Sequence, residues 1–112
     1  MNSCHFIGRL TKEPEAKKAE SGITYCQFDI AVQRNKQKDA SFIHCIAYEK
    51  VAQSVGKYSH KGDKVGVSGY LSPFKSTTKE GVSVEKYFIV CEEVEFLLRA
   101  KRDKDGGETD GD

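Results

Sequence analysis

Most of this chain alternates. From Ile23 to Gln33, the residues Cys26, Phe28, Ile30 and Val32 take one side, and Gln27, Asp29, Ala31 and Gln33 take the other. A period of two marks a strand with one face on a core and one toward solvent. Residues 2 to 10 repeat the pattern, with Cys4, Phe6, Gly8 and Leu10 opposed to His5, Ile7 and Arg9. Ser41 to Tyr48, then Val65, Val67, Gly69 and Leu71, and finally Val82 to about Leu98 supply three more strands. The period changes once. Val51, Ala52, Val55 and Tyr58 fall at i, i+1, i+4 and i+7, the apolar stripe of a helix. Gly62 after Lys61 is placed to cap its C-terminus.

The segments between are polar. Residues 11 to 18 carry Pro14 and read as a connection, Ser21-Gly22 as a turn, and Ser76 to Gly81 as a hairpin. Arg34 to Asp39 is basic, offers no side chain to a core, and reads as an exposed loop between the second and third strands. The order is β-β-β-α-β-β. It predicts an all-β fold with one helix, the OB-fold: a five-stranded, partly open Greek-key barrel.

A length of 112 residues suits one domain. The formal charge of +1 conceals an asymmetry, because residues 103 to 112 hold five acids against one base. The remaining 17 Lys and Arg face 12 Asp and Glu, so the body is basic by about +5. This divides the chain into a barrel domain over 1–102 and a short acidic, disordered tail over 103–112. A basic body suits a polyanion. No apolar run approaches the ~20 residues of a membrane span, and residues 1 to 5 lack a secretory layout. A cytoplasmic protein without membrane contact is expected.

Cys4, Cys26, Cys45 and Cys91 form no C-x-x-C pair. His5 and His44 adjoin Cys4 and Cys45, but neighbours on a strand point to opposite faces and do not readily chelate one metal. Buried, reduced thiols are expected, with no metal and no cofactor. Enzymatic constellations are missing too: there is no Walker-type phosphate loop, no H-E-x-x-H and no G-x-S-x-G elbow. Glu92, Glu93 and Glu95 read as a solvated edge. No catalytic residue is assigned, and the chain is read as a non-enzyme.

Aromatic and basic residues interleave where one barrel face and its loops should lie. Phe42 follows the basic loop, Tyr48 ends the third strand with Lys50 just beyond, and Tyr70 and Phe74 flank Pro73 on the fourth, followed by Lys75. Arg34, Lys36 and Lys38 occupy the basic loop. Aromatic faces stack on any base and cations follow phosphates, a combination suited to single-stranded nucleic acid. In the third strand, Ile43 with the small Cys45 and Ala47 suits a tight interior, leaving Phe42 and Tyr48 outward. Phe28, Phe96 and Tyr58 are expected in the core. Phe74, beside Pro73, is expected to be exposed.

Three stretches in register are similar to the bacterial and bacteriophage single-stranded DNA-binding proteins: Ile7 to Glu15, Phe42 to Ala52, and Tyr58 to Leu71. The resemblance covers about residues 1 to 98. It implies stacking aromatics at Phe42 and Tyr48 and phosphate-directed lysines at Lys50 and Lys75. Two of the family's aromatic positions fall here on Lys36 and Ser76, and Phe74, on the same strand face as Ser76, is a substitute for the second. The resemblance further implies a homotetramer joined through the first strand, and partners in replication, recombination or repair. The tail keeps the family's acidity without its apolar tip, which leans toward a bacteriophage member acting in the host cytoplasm. The expected function is coating of single-stranded DNA without sequence specificity. The alternative is an OB-fold protein-interaction module or primosomal accessory protein with weak DNA binding.

Overall fold

Alternating segments this short must pair with one another to bury their apolar faces, and here they close into a ring. The computed structural model describes residues 1–34 and 39–100. Along the chain lie β1 (Cys4–Leu10), β2 (Ala16–Lys18), β3 (Thr24–Gln33), β4 (Ala40–Tyr48), α1 (Glu49–Tyr58), β5 (Lys64–Thr77) and β6 (Ser83–Leu98). The sheet order is β1-β5-β6-β4-β3-β2, and β1 pairs with β3 as well. The five long strands therefore form a closed circuit, the OB barrel expected from the element order. β4 and β6 run parallel, and the other pairs are antiparallel.

β2 was not foreseen. It lies inside the expected 11–18 connection and extends the edge of β3, with Ala16 opposite Cys26 and Lys18 opposite Thr24. Its three residues are all exposed, so no apolar alternation announces it.

Closure brings backbones unusually close at two glycines. β1 pairs β5 as far as Arg9 and reaches β3 through Arg9 and Leu10. At Gly8, just before this switch, a Cβ would lie 2.6 Å from the Ala31 carbonyl oxygen. At Gly69, where a bulge shifts the β5–β6 register, a Cβ would overlap the Val90 carbonyl oxygen. No side chain other than hydrogen fits there.

The inward faces follow the alternation. Leu10, Cys26, Phe28, Ile30, Cys45, Ala47, Val65, Val67, Ile89 and Cys91 fill the barrel, and Ala52 and Val55 of α1 pack on them. The chain enters α1 directly from β4, turning at Glu49 with φ +54°. The helix ends at Ser59, whose backbone N–H and hydroxyl both donate to the Val55 carbonyl, at 3.2 and 2.5 Å. Gly62 is thus not the helix cap. Its φ of +88° serves the turn after it, where its N–H donates to the Leu10 carbonyl at 2.8 Å.

That turn is a junction. Buried Asp63 accepts the His60 N–H at 2.9 Å and the Ala100 N–H at 2.8 Å, tying the turn to the residues after β6. Glu13 accepts the Lys61 N–H at 2.8 Å and lies 3.0 Å from His60 Nδ1. The first and third resemblance stretches are therefore bonded to each other in space.

Two aromatic assignments are corrected. Tyr58 and Phe96 are 57% and 44% exposed rather than buried. Tyr58 is the last residue of α1, and Phe96 lies near the end of β6. Their rings pack edge-on against each other at 6.3 Å. Leu71 is exposed as well, because β5 passes its bulge there and continues into the β5–β6 hairpin. Phe28 is core, as expected.

Cys26, Cys45 and Cys91 are buried free thiols, and Cys4 is half-buried. The Cys91 sulfur hydrogen-bonds Cys45, and this contact together with burial raises the Cys45 thiol far above its ordinary range. Burial likewise raises Cys26. A thiol that stays neutral when folded but ionises when unfolded contributes full stability below its unfolded value of about 9.0, and the contribution falls at higher pH. The stability difference between the protein and Cys45→Ala is expected to be constant up to about pH 8. Above pH 9 it should shrink by about 1.4 kcal/mol per unit, followed by urea unfolding across pH. Gly69→Ala is expected to destabilise by more than ~2 kcal/mol, seen as a lower urea midpoint at unchanged slope.

Candidate nucleic-acid interface

The inward assignment of β4 fixes what its other face presents. With Ile43, Cys45 and Ala47 turned to the core, Phe42, His44, Ile46 and Tyr48 point outward. Register carries that face across the neighbouring strands. Asp29 of β3 stands opposite His44, and Gln27 opposite Ile46. Val90 of β6 stands opposite Ile46, and Tyr70, Ser72 and Phe74 of β5 stand opposite Val90, Phe88 and Lys86. One outer surface thus runs over β3, β4, β6 and β5.

Its centre is a row of rings. Phe74 meets Phe88 edge-on at 5.1 Å, and Phe88 meets His44 at 5.7 Å with the planes tilted by 44°. His44 Nδ1 lies 2.8 Å from Asp29 Oδ1, which extends the row onto β3. Phe42, two residues from His44 on the same face, is 64% exposed, the most open large aromatic of the surface. Tyr48 and Tyr70 are each 37% exposed. Burial, and secondarily the proximity of Tyr70, raises the Tyr48 phenol above its ordinary value. Ile46 and Val90 lie buried between these polar-tipped and aromatic residues.

The structure brings Phe42, Tyr48, Tyr70 and Phe74 to one face, as the alternation requires. Phe74 differs from expectation in one respect: it is half-buried against Phe88 rather than fully exposed. Lys50 is exposed on the first turn of α1, and Arg34 is exposed at the end of β3. Lys75 is exposed but sits on the opposite side of the β5–β6 hairpin from Phe74, across from Glu85. Lys36 and Lys38 lie outside the described residues, as does the acidic segment 103–112.

Four members of the surface were missed: Phe88, Lys86, His44 and Asp29. The signal was present, since Cys91 and Ile89 mark the inner face of β6 and leave Val84, Lys86, Phe88 and Val90 on the other. Glu92, Glu93 and Glu95 are exposed on the part of β6 beyond its pairing with β4, where the strand is bonded to β5 alone and forms a solvated edge. Among the described residues, no group of three or more His, Cys, Asp or Glu is placed to hold a metal ion. No helix among them is long and apolar enough to cross a membrane.

An OB barrel whose outer sheet face carries aromatic rings flanked by cations belongs to the class of oligonucleotide-binding barrels. Comparison with known proteins narrows this. The Single-strand binding protein family matches residues 1–97. The chain is 33% identical to single-stranded DNA-binding protein 1 of Staphylococcus aureus (strain COL) over 113 positions, covering 96% of this chain and 68% of the relative. It is 37% identical to the single-stranded DNA-binding protein of Fusobacterium nucleatum over 103 positions, covering 86% of this chain and 66% of the relative. The chain thus spans about two-thirds of the length of these relatives. It belongs to the single-strand binding protein family.

If the row of rings is a packed unit, its members are energetically coupled. A double-mutant cycle of Phe74→Ala and Phe88→Ala is expected to give a coupling of about 0.5–1.5 kcal/mol in unfolding free energy. A coupling near zero would mean that the two rings touch without stabilising each other.

Proposed function

We propose that this protein binds and coats single-stranded DNA without overall sequence preference, in replication, recombination or repair. The observation that carries the reading is the outer face of β4, β6 and β5, where exposed Phe42 adjoins the His44–Phe88–Phe74 row. Flat rings accept any unstacked base, a surface that duplex DNA with its bases stacked inside cannot use. Lys86 on this face, Lys50 on the first turn of α1 and Arg34 at the opposite end of the β3–β4 pair supply phosphate contacts, and Lys36, Lys38 and Lys75 are assigned to the same role. The action is binding without turnover.

A homotetramer joined through β1 fits the free edge of that strand. β1 bonds β5 from Cys4 to Arg9 but meets β3 only at Arg9 and Leu10, leaving Cys4 to Ile7 with one ladder side unused among the described residues. A second β1 could add there. Free thiols at four positions suit a reducing compartment, which supports work in the cytoplasm beside other replication or recombination proteins.

The test is fluorescence anisotropy with a ~35-nucleotide oligo-dT and a matched duplex, a length that exceeds the roughly 4–16 nucleotides one barrel covers. Affinity for the single strand should exceed that for the duplex and fall with log[salt] at a slope near −0.7 per phosphate neutralised. Phe42→Ala should weaken binding by about 1–3 kcal/mol. Equal affinity for both substrates, lost by ~0.2 M salt, would reduce the surface to a basic patch and favour a protein-interaction module.

A further inference from the structure

Beside the row of rings lies a groove of about 330 Å³, lined by the Thr11–Pro14 loop on one side and by Phe88 and Lys86 on the other, with Gln27, Asp29 and His44 between them. It contains a group that neither stacking nor phosphate attraction uses. Asp29 is a carboxylate on a face built to meet a polyanion, so it repels phosphates and contributes nothing to non-specific binding. Its placement is nonetheless well determined. The Thr11 N–H donates to the Asp29 backbone carbonyl at 3.1 Å, and His44 Nδ1 holds Oδ1 at 2.8 Å. The side chain is 39% exposed, and its other oxygen has no partner among the described residues.

The second carboxylate of the groove is in a different situation. Glu13 accepts the Lys61 N–H and lies against His60 Nδ1, so both its oxygens are engaged in the 60–63 junction. Asp29 is left as the carboxylate with an unengaged oxygen on the groove, separated from the Phe88 ring by His44.

We infer that this groove is a nucleobase subsite that favours cytosine over thymine, with Phe88 as the stacking platform and Asp29 as the reader, its carboxylate oriented by His44. The inference rests on the single-stranded DNA reading above. A carboxylate only accepts hydrogen bonds. Cytosine offers it the exocyclic N4 amino group, the base-edge partner that Asp and Glu characteristically take. Thymine carries a carbonyl oxygen at the same position. A base stacked on Phe88 strips water from Asp29, and thymine then sets acceptor against acceptor, leaving the carboxylate desolvated and unpaired. The discrimination comes from that unpaired state rather than from an added attraction. Coating stays sequence-tolerant, because one position in the footprint is biased and the others stack any base.

The experiment compares oligo-dC with oligo-dT of about eight nucleotides, within the footprint of one barrel, by competition anisotropy on the full chain at fixed salt. Asp29→Asn keeps the shape and an acceptor for His44 but removes the charge. Any general electrostatic gain from that loss is shared by both oligomers and cancels in their ratio. The ratio of dC to dT affinity is expected to fall about tenfold in Asp29→Asn. A second arm needs no altered protein: with the unmodified chain, oligomers of N4,N4-dimethylcytosine, which lack the amino donors, should lose the advantage of dC. An unchanged ratio in Asp29→Asn, or dimethylated and plain dC binding equally, overturns the subsite while leaving single-strand binding intact. Failure to bind either plain oligomer overturns the single-strand reading and this inference with it.

Discussion

Closing five strands into a ring forces main chains together, and this barrel meets the demand at two residues without side chains. Gly8 lets β1 come against the Ala31 carbonyl as it passes from β5 to β3, and Gly69 lets β5 bulge against the Val90 carbonyl. Everything else depends on this closure. Without it, the inner faces of β3, β4 and β6 would have no opposite wall, and Cys26 and Cys45 would lose the dry interior that raises their thiols. Small residues inside β4 permit the tight ring, and alternation then obliges β4 to carry its large rings outside. Core packing and surface chemistry are two sides of one strand.

A second constraint operates at the end of the barrel, through Asp63 and Glu13. Buried Asp63 gathers backbone donors from the turn and from the residues after β6, and Glu13 pins the 11–14 loop to the same turn. Removing Asp63 would orphan donors in a part-buried setting, the costly kind of loss, whereas the donors that Glu13 holds are exposed to water. Two of the three stretches that carry the family resemblance meet at this junction. The loop that the junction holds also forms one wall of the groove over Asp29.

Sequence reasoning reached the fold because the dominant signal, a period of two, has a direct physical cause in the pleat. It found the inward set of β3 and β4, the helix stripe and the outward turn of Phe42 and Tyr48. It failed where the cause is not periodic. β2 is too short to alternate, and Gly62 looks like a helix cap because a left-handed glycine near a helix end usually is one. Tyr58 and Phe96 carry the composition of a core but lie where α1 and β6 run out, so each covers the other and neither is enclosed. At the site, residues with an obvious chemical character were found. Asp29, His44 and Phe88 were not, because their roles arise from neighbours 15 and 44 positions away in the chain.

The parallel pairing of β4 with β6 has a temporal consequence. Among the described residues β6 comes last in the chain, yet it occupies the place between β4 and β5, and neither reaches its partner across the ring until it arrives. The Cys45–Cys91 contact and the Phe74–Phe88–His44 row therefore both wait on β6. Contacts of such long sequence separation form late and together. The candidate face is completed in the same event that closes the barrel, because only then do Lys86 and Phe88 of β6 join the rings of β4 and β5.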